Sequence, residues 1–159
     1  MTPNYCIFLF SHYLFLEKTE RGIIMSKGED KVLGILKKNK VAFDREVSFP
    51  RLMGKKGAPL RFDFAVYKNG RIIALIEFDG EQHFKYASHF CKNKSDFMYR
   101  RGCDRKKNEW ALNNRVPLYR IPFWEIDNVN KLSDLFRQDF LVTSIYHNDR
   151  LIKEKFGGS

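Results

Sequence analysis

Cysteine is scarce in this chain, limited to Cys6, Cys91 and Cys103. An odd count at irregular spacing excludes the disulfide framework of a small secreted domain and points to a reducing, cytoplasmic setting. Apolar runs are short. The longest, Tyr5 to Leu16 (YCIFLFSHYLFL), is too short to cross a bilayer as a helix. It has no basic segment before it and no small-residue cleavage site after it, so it does not read as a secretory leader. Internal repeats and low-complexity stretches are also missing, which sets aside solenoids and fibrous folds. Acidic residues are outnumbered, 19 against 29 basic, for a net charge of +10. That excess attracts polyanions at long range, and nucleic acid is the commonest of them.

What is present fits one domain with a packed core. Residues 25–156 form that domain, preceded by an apolar arm or non-native extension over 1–24 and followed by a flexible tail at 157–159. Either the arm adds to the domain or Met25 is the biological start. Ser26-Lys27-Gly28-Glu29 is a capping box, and Val32, Leu33, Ile35 and Leu36 follow at helical spacing, predicting a helix that ends near Asn39. Val41 to Phe49 reads as a strand and Pro50 to Pro59 as a loop. Leu60 to Tyr67 alternates, with Phe62, Phe64 and Val66 on one face and Asp63 on the other. The Asn69-Gly70 turn then leads into an apolar strand, Arg71 to Phe78. Gly80 to Lys94 reads as a loop, Asp96 to Asn114 as containing a helix, Val116 to Ile121 as a short strand, and Val129 to Tyr146 as an amphipathic closing helix. The expected architecture is α/β, a mixed three- to four-stranded sheet flanked by helices.

Three acids stand out. Asp63 interrupts a Phe-rich strand, and Glu77 and Asp79 close the next. Residues two apart on a strand share a face, so the hairpin can gather all three. Clustered carboxylates repel and are costly to desolvate, and a divalent cation resolves both problems. Mg²⁺ suits hard oxygen ligands beside a phosphate, with Mn²⁺ as substitute, and such a site activates water against a phosphodiester.

At these residues the chain resembles the PD-(D/E)XK nucleases. Glu77-Phe78-Asp79-Gly80-Glu81-Gln82-His83, Asp104-Arg105-Lys106-Lys107 and Leu118-Tyr119-Arg120-Ile121 resemble the branch holding the very-short-patch repair endonucleases and related phage homing-endonuclease domains. The resemblance spans about Ser26 to Ile126. It implies a restriction-endonuclease-like core and Mg²⁺-dependent endonuclease activity on DNA, with a phage or bacterial setting. One departure matters: the family's Glu-x-Lys would put lysine at 79, where this chain has Asp79. Lys107 on the following helix is the first candidate to replace it and His83, as a neutral base, the second. Gln82 is a candidate for orienting water or touching phosphate. Glu29 is explained by the capping box, and the resemblance equally makes it an extra metal ligand.

His83, His89, Cys91 and Cys103 raise a structural Zn²⁺, although their spacing matches no common zinc motif. Lys55, Lys56, Arg100, Arg101, Arg105 and Lys106, interleaved with Tyr86, Phe90, Phe97, Tyr99 and Trp110, suit a groove that tracks phosphate and stacks bases. Asp104 and Lys107, three apart on a presumed helix, also read as a plain surface ion pair. Two alternatives to a DNA endonuclease remain: a non-catalytic nucleic-acid binder, favoured by the missing lysine, and an RNA nuclease, since nothing in the residues reads a 2′-hydroxyl. Oligomeric state leaves no mark on the sequence.

Overall fold

The computed structural model describes residues 26–86 and 93–157. The apolar N-terminal arm lies outside them, as do His89, Phe90 and Cys91. Four strands, β1 (Ala42–Met53), β2 (Pro59–Lys68), β3 (Arg71–Asp79) and β4 (Leu118–Pro122), form one mixed sheet in the order β1-β2-β3-β4. The first three are antiparallel neighbours and β4 runs parallel to β3. Helix α1 (Lys27–Lys38) covers one face, α2 (Lys94–Asn113) covers the other, and α3 (His147–Phe156) packs against α2. The fold is therefore α/β, a four-stranded mixed sheet between helices. Among the described residues no helix is long and apolar enough to cross a membrane.

The strands make this two-faced sheet by alternation. Ala74 and Ile76 of β3, Phe64 and Val66 of β2 and Ile121 of β4 pack with Val32, Ile35 and Leu36 of α1. Ala65, Leu75 and Leu118 point the other way, toward Ala111 and Trp110 of α2. Asn69 and Gly70, at φ 51° and 72°, form the tight turn expected between β2 and β3. Gly28 allows α1 to lie against the end of β3, since a Cβ there would come within 2.3 Å of the Phe78 ring. On β2 the alternation fails near the site: Phe62 joins the α2-side cluster and meets Trp110, whereas Phe64 and Val66 face α1. The break falls at Asp63, where the last regular β2–β3 pair is Phe64–Ile76.

Two expectations need correction. The Pro50–Pro59 segment is not all loop, because β1 runs on to Met53 and the turn is confined to Gly54–Ala58. More substantially, Val129 to Tyr146 is not one helix. Short 3-10 turns at Leu132–Phe136 and Gln138–Phe140 are followed by a bridge from Leu141 to Tyr119, and the helix comes only at His147. Local bonding explains it. Asp134 accepts the backbone N–H groups of Asn130 and Lys131 at 2.9 and 3.0 Å. Arg137 adopts extended backbone and its guanidinium pairs with Glu125 and Asp139. Val142 then donates to the Leu118 carbonyl at 2.8 Å, so the segment closes the outer edge of β4. Its apolar residues Leu132, Leu135, Phe136 and Phe140 still reach the core, as their spacing predicted.

Candidate active site

Glu77 and Asp79 on β3 and Arg120 on β4 point to the α2 face, where burial is nearly complete. The parallel register pairs Glu77 with Arg120 directly. From α2, Phe97, Asp104, Asn108 and Ala111 form the buried stripe, half of it polar. Buried charge must be paired or it is strongly destabilising, and the pairs here fall into two groups.

The first group is Asp63, Glu77 and Lys107. Lys107 Nζ lies 3.0 and 2.8 Å from the two Glu77 carboxylate oxygens. The Asp63 backbone N–H donates to Glu77 Oε1 at 3.2 Å, and Asp63 Oδ2 accepts from the Phe78 N–H at 2.8 Å. Burial, and then the Glu77 charge, push the Asp63 carboxyl well above the usual range, against the opposing pull of Lys107. Glu29 adds a smaller push in the same direction. Burial, and less strongly Arg120, lower the Lys107 ammonium, but the charge and hydrogen bond of Glu77 together with the Asp63 charge outweigh them and the net shift is upward. Two carboxylates thus share one lysine.

The second group is Asp79, Asp104, Arg120 and His83. Arg120 is fully buried. Its Nε and Nη2 donate to the two Asp79 oxygens at 2.7 and 2.6 Å. Nη2 also donates to Asp104 Oδ1 at 2.8 Å, and Nη1 to Asn108 Oδ1 at 3.0 Å. Asn148 of α3 donates to Asp79 Oδ2 at 3.1 Å. His83 Nδ1 sits 2.9 Å from Asp104 Oδ2, while part of its ring remains exposed. Burial alone would raise Asp104, but Arg120 and then His83 hold it well below the usual carboxylate range. Burial lowers His83, and Asp79 and Asp104 more than reverse that, so its pKa is raised. The two groups touch where Arg120 Nη2 comes 3.7 Å from Glu77 Oε2.

The expected residues therefore separate. Asp63, Glu77 and Lys107 come together, while Asp79 is turned into an ion pair with Arg120. Asp104 and Lys107 are not a surface pair: Asp104 is buried, Lys107 is largely so, and each binds a different partner. Asp79, His83 and Asp104 bring three ligand atoms within 4.8 Å of one another, a group that could hold a metal ion. Arg120 already supplies the compensating positive charge among them, so this group holds together without one. The Glu29 N–H donates to the Ser26 hydroxyl at 3.2 Å, one half of the expected capping box, while its carboxylate accepts from that hydroxyl at 2.9 Å. The Gln82 amide folds over Gly80, where a Cβ would come within 2.4 Å of it. Cys103 is half-buried on α2, and His83 Nδ1 is engaged by Asp104.

Among the basic residues, Arg101 and Arg105 both pair with Asp149 on α3. Lys55 packs over the Tyr99 ring at 4.4 Å and its N–H donates to the Tyr99 hydroxyl. Lys106 bonds the Met53 carbonyl at 3.2 Å. The Arg100 Nε is buried with no partner among the described residues, and the Lys56 side chain is not among those described. Sequence reasoning gave no role to Arg120, Asn108 or Asn148. Two signals pointed to them: an arginine on the same strand face as Leu118, and polar residues at core positions of the Phe97–Ala111 stripe.

No protein-family model, curated protein or solved structure matches this chain.

Proposed function

We propose that this protein is a metal-dependent DNA endonuclease with a restriction-endonuclease-like core, of the PD-(D/E)XK class. Asp63 and Glu77 would hold Mg²⁺, with Mn²⁺ as substitute, and Lys107 takes the role of the lysine missing at position 79. The observation that carries the reading is the seat of Lys107 on Glu77, directly across from Asp63. The donor set fits a hard divalent cation. Both ligands are carboxylates, one lysine serves the pair, and burial and then the Glu77 charge push Asp63 upward against the pull of Lys107. When bound, the metal supplies Lewis-acid polarisation of the phosphate and a water of lowered pKa.

The remaining work falls to the chain itself. Lys107 fixes the Glu77 carboxylate and places a positive charge beside the position of the scissile phosphate. With Nδ1–H donated to Asp104, the other His83 nitrogen accepts a proton from water once the ring is neutral, a form that its raised pKa moves to higher pH. Arg120 keeps Asp104 ionised and so orients His83. The net charge of +10 favours a polyanionic substrate.

The test is cleavage of supercoiled plasmid with Mg²⁺ or Mn²⁺, beside EDTA, Asp63→Ala, Glu77→Ala and Lys107→Ala. Metal-dependent nicking or linearisation that falls to background in all three variants is expected. Cleavage of RNA alone would move the substrate to RNA. A second reading, a nucleic-acid binder on the same fold, draws on one observation: Lys107 by itself already neutralises Glu77. Binding without cleavage under every metal condition would favour it.

A further inference from the structure

The outer flank of α2 carries a chain of aromatic and guanidinium groups that the proposed chemistry does not use. Tyr146, the residue before α3, lies 5.1 Å from the Arg105 guanidinium. Arg105 and Arg101 share the Asp149 carboxylate. Arg101 lies 5.8 Å from the Phe97 ring, and Phe97 meets Tyr86 edge-on at 6.3 Å. Phe97 is the buried foot of this row, whereas Tyr146 and Tyr86 at its two ends are 53% and 50% exposed. Large aromatic rings left half in water at both ends of a basic row are, among the described residues, a surface with a definite chemistry.

We propose that this row is a stacking platform for the unpaired bases of a nucleic-acid strand, a proposal that rests on the nuclease reading and names its substrate as DNA carrying an unpaired segment. Charge selects the occupant. Two arginines face one carboxylate, so the row keeps a positive charge and attracts a polyanion. Ring faces and guanidinium planes accept any base by stacking, which duplex DNA, with its bases already stacked on each other, does not offer. The length also suits. Phe97 to Arg105 covers about 12 Å at the helical rise, room for two or three extended nucleotides. Position connects the row to the chemistry. Asp104 lies between Arg101 and Arg105 in sequence and turns inward to His83, so on one helix the row runs alongside the proton-transfer pair.

The experiment is fluorescence polarisation in EDTA, using a fluorescein-labelled single strand, the matching blunt duplex and a duplex with an unpaired flap. Wild type, Tyr86→Ala, Tyr146→Ala and Tyr146→Phe would be compared, with folding checked by circular dichroism. The two alanine variants are expected to lose roughly tenfold in affinity for the single strand and the flap. Their duplex binding should stay within about twofold, and Tyr146→Phe should match wild type. Unchanged single-strand affinity in both alanine variants, or an equal loss on duplex, would overturn the platform. Wild-type plasmid nicking that persists in either event would leave the nuclease reading standing. Failure of the wild type to bind any of the three probes would remove both.

Discussion

The two halves of the buried polar network each set two carboxylates around one strong base and satisfy them to different degrees. Around Arg120, each carboxylate oxygen of Asp79 and Asp104 meets a donor, and the guanidinium reaches both acids and Asn108. Around Lys107, two carboxylates share one ammonium and Asp63 is driven upward by burial and by its neighbour. The saturated half behaves as a brace between β3, β4, α2 and α3. The Lys107 half, with two carboxylates to one ammonium, is where a further positive charge would lower the free energy. Proximity of acids alone does not separate these roles; the count of donors against acceptors does.

Removing the brace should have the largest effect. Arg120→Met leaves Asp79 and Asp104 buried without their cation, a loss of about 3–5 kcal/mol. A thermal melt should show a fall of roughly 6–20 °C, with Lys107→Met costing clearly less. Equal losses would erase the distinction between the halves.

The next effect concerns His147, which backs the brace from α3. Both its ring nitrogens are buried without a hydrogen-bond partner among the described residues. Burial, and then Arg120 and Arg150, lower its pKa to about 4. The unfolded chain therefore binds the extra proton first. Stability from this group is complete above about pH 6.5 and is lost as pH falls toward 4, by up to roughly 3 kcal/mol. Urea denaturation at pH 7.5 and 4.5 should show that loss, and His147→Leu should shrink it.

Smaller, but sharper for the comparison, is Asp63→Asn. The amide oxygen can still accept from the Phe78 N–H, while the repulsion from Glu77 disappears. Metal-free stability should rise by roughly 1 kcal/mol while cleavage is abolished. Asp79→Asn, on the saturated half, should lower the melting temperature. The smallest effect is expected from Asp149→Ala, which frees Arg101 and Arg105 at a cost of about 1 kcal/mol or less. Duplex affinity should rise a few-fold, with a steeper salt dependence in a binding titration.

Much of the fold was legible because it rests on local signals. The capping box, the Asn-Gly turn and strand alternation placed α1, β2 and β3 within a residue or two of their observed bounds. The Val129–Tyr146 helix failed because a helical apolar pattern also describes successive 3-10 turns once side chains such as Asp134 take the backbone donors. At the site, the approach of Asp63 to Glu77 was legible from the hairpin, with Lys107 as one candidate from the following helix. The diversion of Asp79 was not, since it depends on Arg120, which lies 41 residues away and is brought alongside by the parallel register of β3 and β4. Likewise Arg101 and Arg105 read as phosphate contacts until Asp149, 44 residues beyond Arg105, claims them.

The most direct test of the account is where a cation goes. Mn²⁺ titrated into ¹⁵N-labelled protein broadens backbone amide signals near its binding site. The account predicts that Asp63, Glu77 and Phe78 broaden first, and that Asp63→Asn removes the effect. First broadening at His83 and Asp104, or none anywhere in the domain, would contradict it.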